Sequence, residues 1–432
     1  MSAVKRSLNV GVVGMGNMGI PITRNLAFKA RSAMYLQVHS RSVAKARKVC
    51  DDMSADGATC AMRIHDRYST VTKWCDIILL TLAHREASRK VLLEDDEALI
   101  THARPGQILV DHTTVDIELS RECAFEAERR GATFLDAPMS GSPKAAFNNQ
   151  LVLMIGGPAE QVQRVSPIFR MYADNIHHMG QSGSGTAAKL LSQALVASHN
   201  AAAAEAMTIA NRLGIEDYQT LLQVLDASWG SSTMLRRNAP IMQDLVRNPE
   251  KLAPSSGATV DSLLSDLALL DASLPAVEGG RGGAPKQQEE EEHFPVLDAS
   301  LRMLGAAAAS GLGDRDMSTV IHYIQAAAAM ESEEEGVGPA AVPRALSTEA
   351  FQERRSGAAS SSSSTSTSSD QSTGVEAAAL DAGALAELLS AEGDAAPTSK
   401  SAATTAPSTA APSTNVSAVN ANLPDFTMDD FY

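Results

Sequence analysis

A chain of 432 residues has room for two to four folding units at roughly 100 to 200 residues each, which excludes a miniprotein held together by disulfides. With 44% hydrophobic and 20% charged residues, its composition is that of a soluble globular protein, and no run reaches the roughly 18 apolar residues of a membrane span. The net charge of -15 lies mainly from Glu331 onward, where 15 acidic residues face 4 basic ones; the body before it holds 36 acidic and 32 basic residues, without the clustered Lys and Arg that a nucleic acid or a membrane surface would require.

The expected partner is therefore a small molecule. Lys5 and Arg6 precede an apolar stretch that Gly11, Gly14 and Gly16 interrupt at once, poor material for a signal peptide. Cys50, Cys60, Cys75 and Cys123 form no Cys-x-x-Cys pair, so neither a metal site nor a disulfide framework is expected and the chain reads as cytoplasmic.

In chain order, short β-rich runs at residues 8–13, 35–39, 77–82, 108–111, 133–136 and 152–155 alternate with stretches of helical length. That alternation predicts a doubly wound α/β domain over residues 1–178. Gly14-Met15-Gly16-Asn17-Met18-Gly19 follows the first run directly and opens a helix. In that setting Gly14 makes the tight turn, Gly16 lets a pyrophosphate approach bare backbone, and Gly19 lets helix and strand pack closely, the signature of a Rossmann-type dinucleotide site. The second run ends His39-Ser40-Arg41-Ser42. A carboxylate there would bind the ribose hydroxyls of NAD; neutral Ser40 followed by Arg41 suits a 2'-phosphate, so NADP(H) is favoured over NAD(H).

From residue 179 to 330 strand signals vanish, and Ala/Leu-rich stretches such as 186–213 and 294–310 predict an all-helical second domain. A Gly-rich, acidic insert at 275–293 reads as a solvated loop within it. The tail, 331–432, is rich in Ser, Thr, Ala, Pro and Glu and too poor in apolar residues to offset ordering entropy, so disorder is expected. Residues 375–389, a transient amphipathic helix by composition, and 425–432 are candidate partner motifs in it, a solvated tail being the simpler reading.

Three further segments complete a constellation: Asp111-His112-Thr113-Thr114, Asp136-Ala137-Pro138-Met139-Ser140-Gly141-Ser142, and Gly183-Ser184-Gly185-Thr186-Ala187-Ala188-Lys189-Leu190-Leu191-Ser192-Gln193. With the glycine turn, and with Gly311-Leu312-Gly313-Asp314-Arg315-Asp316 further on, they resemble the β-hydroxyacid dehydrogenase family, which includes 3-hydroxyisobutyrate dehydrogenase, tartronate semialdehyde reductase and, more distantly, 6-phosphogluconate dehydrogenase. The resemblance covers about residues 8 to 330.

It implies hydride transfer between NADP(H) and a small 3-hydroxy acid or its semialdehyde, with Lys189 as the acid/base, a role open to a lysine whose pKa is lowered. It places Ser140, Gly141 and Ser142 on a substrate carboxylate, Thr113 and Gln193 by the substrate and Thr114 by the nicotinamide, and implies a homo-oligomer. Ser192-Gln193 stands where the family has Asn-Asn or Asn-Gln, Ala145 and Asn149 where it has glycines, and Ser265 where its Lys-Asp-Leu motif has a second lysine. The glutamates at 289–292 would repel anionic substrates if they folded back. Two rivals stand beside this reading. Oxidation of 6-phosphogluconate would need a His-Asn pair after the lysine, and a cofactor-binding scaffold without turnover would have no use for Lys189.

Overall fold

The computed structural model describes residues 8–30, 34–254, 258–274 and 294–326. The insert at 275–293 and the tail at 331–432, with both of its candidate motifs, lie outside the described residues.

Seven strands and six helices lead the described chain: β1 (Leu8–Val13), α1 (Gly19–Lys29), β2 (Met34–His39), α2 (Val43–Ala55), β3 (Ala61–His65), α3 (Tyr68–Trp74), β4 (Ile77–Leu80), α4 (Arg85–Arg89) with a wide turn at Lys90–Glu94, β5 (Ile108–Asp111), α5 (Ile117–Arg129), β6 (Thr133–Asp136), β7 (Met139–Ser140) and α6 (Pro143–Phe147). β8 (Leu151–Gly156), α7 (Ala159–Phe169) and β9 (Ala173–Gly180) follow. The sheet runs β3-β2-β1-β4-β5-β6-β8-β7, with β9 also on β8. Pairing is parallel from β3 through β6 and again between β8 and β9, whereas β8 meets β6 and β7 antiparallel. Helices cover both faces, so β4 and β5 are buried throughout, β4 reading as an unbroken apolar run and β5 as one that ends in Asp111. Strand order reverses between β1 and β4, which opens a crevice at the carboxyl ends of those strands.

Three strands go beyond the expected set: β3, β7 and β9. β3 and β9 alternate with exposed residues, and their pairing comes from a neighbour on one side. β7 has two residues.

A helical assembly follows: α8 (Ser184–Arg212), α9 (Tyr218–Ala227), α10 (Thr233–Arg247), α11 (Val260–Ser273) and α12 (Pro295–Ala307), then a wide turn at Ala308–Leu312 and a helical stretch over 320–326. α8 has 29 residues and is about 43 Å long at 1.5 Å per residue. Its Ala203, Ala204 and Met207 pack with Leu235, Ala239 and Met242 of α10, while Ala197 joins Val260, Leu263 and Leu267 of α11 and Leu304 of α12. Asp316, fully buried, accepts from Arg237 Nη2 at 2.6 Å and Nη1 at 3.2 Å, which ties α10 to the chain after α12. No helix of the described residues is long and apolar enough to cross a membrane, and all four cysteines are buried free thiols.

Candidate active site

Sheet register assembles the site. Val13 pairs with His39 on one side and Leu80 on the other, Leu80 with Asp111, and Asp111 with Asp136. The glycine turn, Ser40, Thr113 and the Asp136 segment therefore emerge at one edge.

At that edge Gly14 (φ +108°) donates its N–H to His39 O at 2.9 Å. A Cβ on Gly14 would run into the Thr81 carbonyl, and one on Gly19 into Gly14 O, with Thr81 Oγ1 at 2.6 Å. A Cβ on Gly16 would meet nothing within 4 Å. Packing thus explains two of the glycines and leaves the third facing open space. Gly16 and Asn17 are exposed and Met18 half-buried, and no acidic residue stands in the first turn of α1. Exposed backbone at an uncapped, positively polarised helix start fits a pyrophosphate. Met15 offers only its backbone, since its side chain is buried and its sulfur accepts from the Thr23 hydroxyl at 3.2 Å. Ser40 is buried and Arg41 exposed beside it.

Thr113 is buried; its Oγ1 accepts from Leu82 N at 3.1 Å, and its N–H donates to Asp111 Oδ1 at 2.9 Å. That hydroxyl is thereby engaged in the turn, and Thr114 next to it is half-buried. Asp111 also accepts from Ser88 Oγ, and burial pushes its carboxyl up to about 6. His112 meets Ala137 O at 2.6 Å and Tyr172 Oη at 2.9 Å, and burial pushes it down to about 4, so it is neutral at pH 7.

Ser140 is half-buried at the end of β7; Gly141 (φ +137°) and Ser142 are exposed, and Ser142 Oγ caps α6 by accepting from Ala145 N at 3.1 Å. Asn25 of α1 donates to Ala146 O at 2.7 Å, tying this turn to the glycine-turn helix. Asn149 has φ +63°; asparagine tolerates the left-handed region better than other non-glycine residues, which explains how it replaces a glycine.

The helix that carries Lys189 is fastened to the same edge through Asp136. That carboxylate, 1% exposed, accepts from Gly183 N at 2.7 Å and Thr186 N at 2.9 Å, fastening the start of α8 to the end of β6. Gly185 allows the approach, since a Cβ there would crowd Asp136 O and Gly156 N, both at 2.8 Å. Lys189, 8% exposed, donates to Gln193 Oε1 at 3.0 Å, and Gln193 Nε2 donates to Asp266 Oδ2 at 2.5 Å. Burial lowers the Lys189 pKa from that of a free lysine, and Asp266 partly offsets the drop; burial raises the Asp266 pKa in turn.

The structure thus gathers the glycine turn, Ser40, Arg41, Thr113 and Thr114 at one sheet edge, fastens to that edge the start of α8, the helix that carries Lys189 and Gln193, and ties the Ser140–Ser142 turn to α1. Sequence reasoning assigned no role to Asp136 or Asp266. The first was visible as a carboxylate ending a strand; the second had only its place after Ser265, which is exposed and donates to Asp261 O at 2.8 Å. Among the described residues no cluster of three His, Cys, Asp or Glu side chains is placed to hold a metal ion.

Comparison with known proteins points to NAD(P)-linked dehydrogenases. Residues 9–180 match a family model described as the NAD binding domain of 6-phosphogluconate dehydrogenase, and residues 183–270 match one described as NAD-binding of NADP-dependent 3-hydroxyisobutyrate dehydrogenase. The chain is similar to a probable 3-hydroxyisobutyrate dehydrogenase of Mycobacterium bovis, 26% identical over 319 residues that cover 74% of this chain and 98% of the relative. It is also similar to an NAD-dependent L-serine dehydrogenase of Pseudomonas aeruginosa, 26% identical over 311 residues covering 72% and 96%. In fold it resembles the solved 3-hydroxyisobutyrate dehydrogenase of Mycobacterium tuberculosis with L-serine, at a TM-score of 0.59 and 24% identity over 74% of this chain and 99% of that one.

Proposed function

We propose, on the premise that the chain belongs to the β-hydroxyacid dehydrogenase family and is an NAD(P)-linked dehydrogenase, that it moves hydride between NADP(H) and a small 3-hydroxy acid or its semialdehyde with Lys189 as general acid/base. The carrying observation is Lys189 itself: a buried lysine on a helix whose start is fastened to the end of β6, held at Nζ by Gln193, with its pKa lowered by burial. The cofactor supplies the hydride acceptor or donor at nicotinamide C4. In oxidation, neutral Lys189 takes the proton of the substrate hydroxyl as the carbon-bound hydrogen leaves as hydride. In reduction, the ammonium returns the proton to the carbonyl oxygen. A lysine whose pKa is lowered by burial serves both directions. Exposed backbone at Gly141 and Ser142 and the Ser140 hydroxyl suit a small carboxylate.

Arg41, with no carboxylate at position 40, supports NADP(H) over NAD(H). The P. aeruginosa relative, named NAD-dependent, makes that preference the finer claim. A homo-oligomer and a cytoplasmic location are part of the same reading. Turnover of a panel of short 3-hydroxy acids and semialdehydes with both cofactors tests it. Lys189→Ala should lower turnover at least about a hundredfold and leave NADPH binding nearly intact, because general acid/base catalysis contributes about 10²- to 10⁴-fold and pyrophosphate affinity resides in the Gly14–Gly19 turn. Wild-type protein that binds NADPH but turns over nothing in the panel would favour the scaffold.

A further inference from the structure

We infer that Asp266 is a positioning residue that acts through Gln193, turning its amide so that the carbonyl oxygen faces Lys189 Nζ. The inference rests on the proposed role of Lys189. A glutamine amide can face a neighbour with its oxygen or its nitrogen, and only the oxygen accepts from an ammonium. Asp266, an acceptor when ionised, receives Gln193 Nε2 at 2.5 Å, which leaves Oε1 for Lys189 at 3.0 Å. Reversed, the amide would set donor against donor at Lys189 and acceptor against acceptor at Asp266. The contact crosses from α8 to α11, so the packing of Leu263 and Leu267 against Ala197 fixes the distance over which it acts. Lysine has four freely rotating side-chain bonds, and one fixed acceptor restricts where Nζ sits. Of Gln193's two N–H groups one remains, so its amide can still meet a substrate.

Among charged groups near α8, Asp136 is engaged by Gly183 and Thr186, Arg121 of α5 lies against Gly183, and Asp316 pairs with Arg237. The charge that bears on Lys189 is Asp266.

Two variants separate geometry from charge. Asp266→Ala removes both the acceptor and the charge; kcat should fall about tenfold with the KM for the hydroxy acid changed less than about twofold. Asp266→Asn retains an acceptor and should recover most of kcat. In both, the lost attraction lowers the Lys189 pKa, so the ionisation limb of the pH–rate profile moves about one unit toward acid. Competitive acetylation of Lys189 with acetic anhydride, read by mass spectrometry across pH, reports the same midpoint on the intact chain without turnover. If the wild-type protein proves inactive the proposed function fails, while the acetylation midpoint still decides this inference. An unmoved midpoint in both variants, or equal losses of kcat and melting temperature in Asp266→Ala and Asp266→Asn, would overturn it.

Discussion

Gly16 and Gly19 lie three residues apart in one turn, and the structure gives each a different reason to be glycine. Neither has a positive φ, so alanine is compatible with both backbones and space alone decides. At Gly19 an added Cβ comes within 3.0 Å of three atoms, the carbonyl carbon and oxygen of Gly14 and Thr81 Oγ1. A backbone carbonyl in the same tight turn cannot rotate away. Overpacking of this kind costs about 2 to 3 kcal/mol, so Gly19→Ala should lower the melting temperature by roughly 4 to 12 °C and weaken cofactor binding as the turn opens. At Gly16 the same methyl meets nothing within 4 Å. Gly16→Ala should therefore keep the melting temperature or raise it slightly, since alanine narrows the unfolded ensemble by about 0.4 to 1 kcal/mol. The methyl would stand where a pyrophosphate approaches, and NADPH affinity should fall at least about tenfold, or roughly 1.4 kcal/mol. Thermal melting with and without NADPH, alongside a fluorescence titration, separates the two variants. Wild-type NADPH affinity in a stable Gly16→Ala protein would refute the assignment of this turn to the cofactor, and an unchanged melting temperature in Gly19→Ala would refute the packing argument.

Arg41→Ala should weaken NADPH binding about tenfold to a hundredfold with little effect on NADH, because a charge-assisted contact contributes about 1.5 to 3 kcal/mol; equal losses for both cofactors would remove the basis for NADP(H) preference. Asp111 binds its proton more tightly in the fold than in the unfolded chain, so its contribution to stability falls as pH rises from about 4 through about 6 and stays low above. Asp111→Asn should accordingly melt higher than wild type at pH 8, by up to about 3 kcal/mol, with the difference vanishing near pH 4; a difference that grows toward acid would contradict the assignment. Ser265→Lys should tighten NADPH binding or raise turnover if the missing family lysine served the cofactor, and a folded variant indistinguishable from wild type in both would show that it did not.

Strands buried on both faces were legible because their composition carries the whole signal: Ile77–Leu80 is four apolar residues, all buried. Ala61–His65 and Ala173–Gly180 carry none of it. The first places Ala61 and Arg63 outward on an edge, and the second is largely exposed and polar. Each is a strand because β2 or β8 offers it a ladder, and strand propensity is context-dependent to that degree. The long helix was expected at 186–213 and observed at Ser184–Arg212. Its start is set by Asp136, 47 residues upstream of Gly183, which no local capping rule reaches.

The candidate site divides along the same physical line. A parallel sheet delivers every strand's carboxyl end to one edge, so motifs that follow strands converge without any further instruction; the glycine turn, Ser40, Thr113 and the Asp136 segment were readable for that reason. Lys189 was readable because a lone charge in an apolar helix stretch needs a use. The groups that tune it were not. Gln193 and Asp266 are 73 residues apart, and they meet only because α8 and α11 pack through Ala197, Leu263 and Leu267. Helical periodicity says which residues share a face, and the angle and register between two faces arise from the fit of many side chains at once. The proposed proton-transfer group is thus a property of one segment, whereas the orientation of the amide beside it is a property of two helices, and only the first is written locally in the chain.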